Sequence, residues 1–413
     1  MPPSPQRLLI LGTGFAAFRL LRDLDLRAFR VTIVSPRNHF LFTPLLPSTC
    51  VGTIEYRTII EPIRRNRSRL EFFLGNAESV DVERRVVRCR GLDGDVTWEQ
   101  PYDFLVLAVG CVTNTFGVPG VSEHALFLKE LNDARRIRER LICNLERAAL
   151  PGVGDAERRR LLHFVAVGAG PTGVRFAAEL YDLLATDLPR SYPALAPLVR
   201  VTLLDAGPVI LGAYDEQLRA YVQRAFLRRG IAVRTASPVT DVGPTHLALK
   251  NGEVIPAGMV LWSAGFGPNP LIAGLPFEKD RAGRLLTDEF LQVRGQPGVF
   301  ALGDCGHPAG QAFPQLAQVA EQQGAYLADC LQRRLRGKPV RPFAWRGFGV
   351  SSYIGEGDAV SERPDHTSRE TGFRAYQHWR GAIWTQLVSA RNKILVPVDR
   401  MRARLFGRDL NKF

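Results

Sequence analysis

Twice along the chain a short apolar run breaks into a glycine-rich turn and then into a helix-favouring stretch. The first runs from Arg7–Leu11 through Gly12-Thr13-Gly14-Phe15-Ala16-Ala17 into Phe18–Leu26, and Arg30–Val34 follows as a second apolar run. The second runs from Phe164–Val167 through Gly168-Ala169-Gly170-Pro171-Thr172-Gly173 into Phe176–Leu180, with its partner run at Val201–Leu204. Continuous apolar runs of this length, bounded by turn residues, read as buried parallel strands. The pattern predicts two βαβ units, and hence an α/β chain with two Rossmann-type domains. Further strands are predicted at 70–74, 79–82, 86–89, 102–110, 232–242, 259–265 and 299–302. Helices are predicted at 57–64, at 132–149 with Asn132 as its cap, at 218–228, and at 313–327 after Pro314. Pro44 and Pro47 interrupt His39–Ser48, which reads as an apolar loop fit to wall in a flat ring system.

The glycine turns carry the first chemistry. In such a turn one glycine permits the bend, the next admits a phosphate to the backbone, and the third lets helix and strand pack closely, so the helix N–H groups face a pyrophosphate. Ala17 takes the third place in the first turn. The first strand pair ends in Ser35-Pro36-Arg37, without the acid that binds an adenosine ribose, which points to FAD there. The second pair ends in Asp205, displaced from its glycines by a proline-bearing insertion at 185–199. A carboxylate at that place accepts from ribose hydroxyls and repels a 2′-phosphate, so it favours NADH over NADPH. Gly110 and Gly265 each close an apolar strand, and Gly303-Asp304 follows another. After a nucleotide pair, Asp304 is predicted to bond the ribityl chain or pyrophosphate of FAD. Ala317, Gln318, Glu321 and Gln322 share neighbouring turns of the 313–327 helix and leave room for a flat ring.

The chain has 413 residues, 46% of them hydrophobic, and a net charge of +13. That length suits two or three domains. No apolar run is long enough to span a membrane, and Leu8 opens the first strand, which predicts no cleaved leader. The charge suits nucleic acid, an anionic membrane or acidic substrates, or is spread evenly over solvated faces. Its distribution favours the membrane. From Gly372 to Phe413 the tail holds nine Lys/Arg and two acids. Trp379, Ile383 and Leu387 recur there at helical spacing, as do Ile394, Val398, Met401 and Leu405. Aromatic and basic residues on amphipathic helices suit a membrane interface, and packing on the body or on a dimer partner is compatible with it. The six cysteines form no CxxC pair or metal spacing and read as buried reduced thiols.

Taken together, VTIVSPRNHFLFTPLLPS, NTFGVPGV, the 168–173 turn, ALGDC, AQVAEQQGAYLA and the closing WRGAIW…SARNKILV…FGRDL make the chain resemble the type II NADH:quinone oxidoreductases, nearly end to end. The resemblance implies noncovalent FAD, NADH as co-substrate, a quinone acceptor, no proton pumping, and a peripheral membrane homodimer. The expected place is the cytoplasmic side of an inner membrane, or the matrix side in a mitochondrion. Gly12, Thr13, Gly14, Phe15, Ser35, Pro36, Arg37, Gly110, Gly303, Asp304, Ala317 and Gln318 are then expected around FAD. Gly168, Gly170, Pro171, Thr172, Gly173, Asp205 and Gly265 are expected around NADH. Gln318, Arg175 and Glu321 are expected to act in catalysis, with Gln318 and its helix bordering the quinone pocket near the flavin. Where the family usually carries Glu after GPTGV, this chain has Arg175, expected near the nicotinamide. The implied domains are 1–119 and 289–345 for FAD, 120–288 for NADH, and 346–413 for the membrane. Two soluble alternatives remain: a flavoprotein reductase of another acceptor, and a low-turnover flavin-binding sensor, which Arg175 would favour. A dithiol reductase or sulfide:quinone oxidoreductase would need paired cysteines.

Overall fold

The computed structural model describes residues 5–64, 69–311 and 313–411. Arg65 and Arg67, which with Arg64 and Arg69 form a basic patch in the sequence at the end of the predicted 57–64 helix, and Lys412 and Phe413 of the tail, lie outside them. In chain order the principal elements are β1 (Gln6–Leu11), α1 (Phe15–Asp23), β2 (Phe29–Ser35), β3 (Leu70–Asp81), β4 (Val86–Gly91), β5 (Thr97–Pro101), β6 (Phe104–Leu107), β7 (Leu126–Phe127), α2 (Leu131–Ala149), β8 (His163–Val167), α3 (Pro171–Thr186), β9 (Arg200–Leu204), α4 (Glu216–Arg228), β10 (Ile231–Arg234), β11 (Met259–Trp262), β12 (Val299–Ala301), α5 (Ala317–Leu335), β13 (Val350–Gly355), β14 (Asp358–Glu362), β15 (Arg369–Thr371), α6 (Gly372–Gln386) and α7 (Ala390–Phe406).

The chain divides into two compact units. The first holds residues 1–41, 60–112 and 266–347. Its seven-stranded sheet has the order β12-β6-β1-β2-β3-β4-β5. The pairs from β12 to β3 are parallel, and β3-β4-β5 is an antiparallel extension. Leu9, Leu11, Leu105 and Leu107 point from the central strands into one buried cluster. That burial is why β1 and β6 carry no alternation of polar residues.

The second unit holds residues 42–59, 113–265 and 348–413. Its five-stranded sheet, β7-β11-β8-β9-β10, is wholly parallel. Val165, Val167, Leu204, Val260 and Trp262 fill its core. A three-stranded antiparallel sheet, β13-β14-β15, and the helices α6 and α7 complete the unit.

Several elements differ from expectation. The compact units put a boundary at 265/266 rather than near 288, and group the C-terminal segment with the second unit. Trp379 and Ile383 of α6 are buried there, and Trp379 stacks on Tyr353 of β13 at 5.2 Å, so this segment shares a core rather than standing apart. The predicted 57–64 helix is a 3-10 turn, Tyr56–Ile59, followed by the strand Ile60–Pro62, as befits its β-branched run and proline. The strands predicted at 70–74 and 79–82 are the one strand β3. Helix α2 is entered at Glu130 rather than capped by Asn132, with the Asp133 carboxylate accepting from the Glu130 N–H at 2.8 Å. Helix α5 starts at Ala317 instead of following Pro314 directly, because Leu316 stays extended (φ −126°, ψ 146°), and it runs on to Leu335. The proline-rich 39–48 segment is more regular than predicted: Pro44 and Pro47 stand in the first turns of two short helices, where a missing N–H costs nothing. Among the described residues no helix is long and apolar enough to cross a membrane.

Candidate functional site

In the first unit, the β1–α1 turn has the geometry the glycine spacing predicts. Gly12 has φ +103°, and a Cβ there would fall 2.4 Å from the Ala108 carbonyl oxygen, so only glycine fits. A Cβ at Gly14 would meet no atom within 4 Å, so the backbone there is open to a ligand. Gly14 also caps α1 without any side-chain hydrogen bond, which leaves the first-turn N–H groups for an anion. The Thr13 hydroxyl lies 3.1 Å from the Ser35 hydroxyl and donates to the Arg37 carbonyl at 3.1 Å. The turn 35–37 is thereby laced to the glycine turn, with Pro36 between its two contacts. Phe15 meets Phe40 edge-on at 5.0 Å.

Next to Phe40, His39 Nε2 is buried with no protein partner, and burial pushes the imidazole down to about 4. A buried nitrogen without a protein partner, an uncapped helix and an open glycine turn fit a dinucleotide such as FAD.

The predicted Asp304 lies in a short 3-10 turn, Gly303–Cys305. Cys111 donates to its carboxylate at 3.1 Å. Gly303 is held by Gln323, whose amide oxygen accepts the Gly303 N–H at 2.6 Å. Gln323 is buried and was not singled out in the sequence; its signal was a third glutamine in AQVAEQQ, hidden among surface-like amides. Ala317 and Gln318 open α5, and its cap residue Leu316 offers no side-chain bond. Glu321 is carried one turn further, where burial raises its carboxyl and Arg19 and Arg22 of α1 oppose the rise. Gln322 is spent on structure: its amide exchanges two hydrogen bonds with the Arg346 backbone, at 2.9 and 3.0 Å. Gly110 has φ +68° and open space at its Cβ position.

The second unit repeats the device. Gly168 has φ +101°, and a Cβ on Gly173 would fall 1.9 Å from the Gly168 carbonyl, which fixes how closely α3 meets β8. Gly170 caps the 16-residue α3 without a side-chain bond, and Pro171 and Thr172 start its first turn. Asp205 ends β9, where its carboxylate accepts from the Ala169 N–H at 2.6 Å and the Gly207 N–H at 2.7 Å. It therefore closes the glycine turn, and each oxygen keeps a lone pair for a further donor. Gly265 (φ +67°) lies under the Phe116 ring, which a Cβ would approach to 2.4 Å.

Arg175 sits one turn into α3. Its guanidinium donates to the Pro44 carbonyl at 2.5 Å and lies 5.2 Å from the centre of the Trp379 ring. Arg400 lies 4.9 Å from the same ring. Burial lowers Arg175 to about 10, opposed by Glu179 one turn along, so it stays charged at neutral pH. Glu179 in turn accepts from the Ser48 hydroxyl at 2.5 Å and the Thr53 hydroxyl at 3.2 Å. A third turn brings Asp182, which accepts from Tyr353 at 2.5 Å and from the Glu356 N–H at 2.9 Å. Burial first, then the Glu179 charge, raises Asp182 to about 6.

Residues 6–324 match the model of the pyridine nucleotide-disulphide oxidoreductases. The chain belongs to that family. Residues 349–409 match the NDH2 C-terminal domain, which places it in the type II NADH dehydrogenase branch. A probable NADH dehydrogenase of Dictyostelium discoideum is 40% identical to it, over 99% of this chain and 91% of that protein. The external NADH-ubiquinone oxidoreductase 2 of Saccharomyces cerevisiae mitochondria is 36% identical, over 98% and 82%. The NDH2 structure from Plasmodium falciparum, solved with NADH, superposes with a TM-score of 0.93 at 23% identity, over 99% of this chain and all of that one. The six cysteines are free, and five of them are buried.

Two outcomes follow from the charged face of α3. Arg175→Glu sets a carboxylate against the Pro44 carbonyl and Glu179, and is expected to destabilise the protein by about 3 kcal/mol or more, whereas Arg175→Gln, which keeps a donor, costs about 1–2 kcal/mol. Urea unfolding at pH 7 measures both, and equal stability of the Glu variant and the parent would refute the role. Asp182 has a folded pKa raised above its unfolded value, so its contribution is full below about pH 4 and is lost as pH rises through about 6. Relative to Asp182→Asn, the parent should therefore lose up to about 3 kcal/mol between pH 4 and pH 7.5. A flat difference between the two unfolding curves across that range would exclude the raised carboxyl.

Proposed function

We propose that this chain is a non-proton-pumping NADH:quinone oxidoreductase that uses FAD. The observation carrying the reading is the pair of open, uncapped glycine turns, one in each unit, in a chain that aligns end to end with NADH-ubiquinone oxidoreductases. FAD, when bound, would supply the redox chemistry that links NADH to a quinone. The protein residues bind and orient. The N-terminal N–H groups of α1 and α3 hold the two pyrophosphates. Gln323 and Cys111 fix the corner that presents Asp304 to the flavin side of FAD. Asp205 accepts from the adenosine ribose of NADH and disfavours a 2′-phosphate. The start of α5, with Ala317 and Gln318, borders the quinone, and Glu321 supports that helix from its α1 side. Arg175 has a structural task on Pro44 and Trp379, so it gives no ground for a low-turnover sensor.

The protein is peripheral to a membrane, on the cytoplasmic or matrix face, and a homodimer. Support for the membrane comes from the two stripes of the tail, which have parted. Trp379, Ile383 and Leu387 face the core, while Ile394, Val398, Met401 and Leu405 stay 45–67% exposed on a basic helix.

Stopped-flow mixing of the purified flavoprotein with NADH should bleach the flavin, with NADPH at least about tenfold slower because of Asp205. A soluble quinone should restore the colour. No bleaching by either donor would sink the dehydrogenase reading; bleaching without reoxidation would sink only the acceptor. Deleting the tail from Gly372 would also strip Trp379 from the core, so the anchor is better tested by Ile394→Ser, Val398→Ser, Met401→Ser and Leu405→Ser together. That variant should keep its FAD and its NADH bleaching yet lose most of its binding to anionic vesicles, and vesicle binding at the parent's level would exclude the stripe as the anchor.

A further inference from the structure

Between α6 and α7 lies a cavity of about 300 Å³, lined by Arg380, Ile383, Trp384, Val396, Pro397 and Arg400 among others. Its width is set by one hydrogen bond, from the Trp384 indole N–H to the Lys393 carbonyl at 3.0 Å. The Lys393 ammonium lies 5.0 Å from the centre of the same indole. The walls are largely apolar and aromatic, and their polar side chains are Gln377 and two guanidinium cations, Arg380 and Arg400.

Neither cation has a direct ion pair, although Glu179 acts on Arg400 through space. Among the described residues, Arg380 and Arg400 have no carboxylate within ion-pair distance. Each rests on a ring instead: Arg380 lies 5.5 Å from the centre of Tyr376, and Arg400 lies 4.9 Å from that of Trp379. The acids nearby are engaged elsewhere. Glu179 accepts from Ser48 and Thr53, and Asp399 accepts the Glu55 N–H at 3.1 Å. Two cations line one largely apolar cavity without a carboxylate in contact, and the more distant Glu179 divides its charge between Arg400 and Arg175, so the cavity favours an anion that brings its own apolar part. A free phosphate leaves the walls uncovered, and a neutral quinone ring leaves the charges uncompensated.

We infer that the α6–α7 cavity holds the phosphate of an anionic phospholipid, with Arg380 and Arg400 as its ligands and the acyl chains leaving along the exposed stripe of Ile394, Val398 and Met401. The site rests on the membrane part of the proposed function and deepens it. The tail selects a lipid headgroup at one place, in addition to attracting a charged surface as a whole.

The test uses delipidated holoprotein and soluble probes, so that surface potential plays no part. Dihexanoyl phosphatidylglycerol, dihexanoyl phosphatidylcholine, inorganic phosphate and a water-soluble quinone are titrated separately below any micelle concentration. Trp384 emission is read as the difference from Trp384→Phe. The phosphatidylglycerol should give a saturable change, and the phosphatidylcholine should bind at least about tenfold more weakly. Arg380→Gln with Arg400→Gln should weaken the anionic lipid at least about tenfold, while Arg374→Gln with Arg404→Gln, an equal loss of exposed charge, should change it less than about twofold. If the double variant loses FAD, Arg380→Gln alone carries the test, because its side chain rests only on Tyr376; a loss of about threefold or more is expected. Equal binding of the two lipids, saturation by phosphate alone, displacement of the lipid by the quinone, or equal loss in the control pair would each overturn the site. The readout involves no turnover, so a protein that binds this lipid but fails to oxidise NADH refutes the enzymatic reading and leaves the lipid site standing.

Discussion

Three ionisable side chains of α3, Arg175, Glu179 and Asp182, face inward, and the second unit is built around satisfying them. A charge taken out of water must find hydrogen bonds or a counter-charge, or it costs several kcal/mol. Arg175 and Glu179 find them on the 42–59 loop, through Pro44 and through Ser48 and Thr53, Arg175 also on α6 through Trp379, and Asp182 on β13 through Tyr353. Helix α3 itself presents its free N-terminus at Gly170. One element therefore joins the nucleotide turn to the tail by polar contacts spaced three and four residues apart. This explains why 42–59 and 348–413, remote in sequence, share one compact unit with the second glycine turn.

The two glycine turns differ in how their loops are tied. In the first, hydroxyls do it, with Thr13 reaching Ser35 and the Arg37 carbonyl. In the second, a carboxylate does it, with Asp205 bridging Ala169 and Gly207. A hydroxyl pair brings no net charge to its glycine turn, whereas the carboxylate does. The two strand ends thus tie their loops with different chemistry, one neutral and one charged.

Much of the fold was legible because its signals are local. Apolar runs ending in Gly12 and Gly168 can be little else than parallel strands entering a phosphate-binding turn, and both stand where the spacing put them. The tail's helical periodicity was legible too. What the sequence hid was partnership across long separations. Nothing near Gln323 announces that it will hold Gly303, and nothing near Glu179 announces Ser48, 131 residues away. Arg175 drew notice as a departure from its family, which suggested chemistry, and its contacts are those of a buried brace. The start of α5 was misplaced for a related reason. A proline is permitted in a first helical turn, and only the extended backbone at Leu316 shows that the turn begins later.

The α6–α7 pair owes its geometry to an omission. Pro397 stands inside α7 and has no N–H to give the carbonyl four residues back, which is that of Lys393. That oxygen is the acceptor of the Trp384 indole. The helix therefore surrenders one rung of its own ladder, and the neighbouring helix takes it. An ordinary residue at 397 would bring its own N–H to that carbonyl, and the indole would then share the oxygen with it. A single imino acid thus works as a latch whose bolt belongs to the other helix.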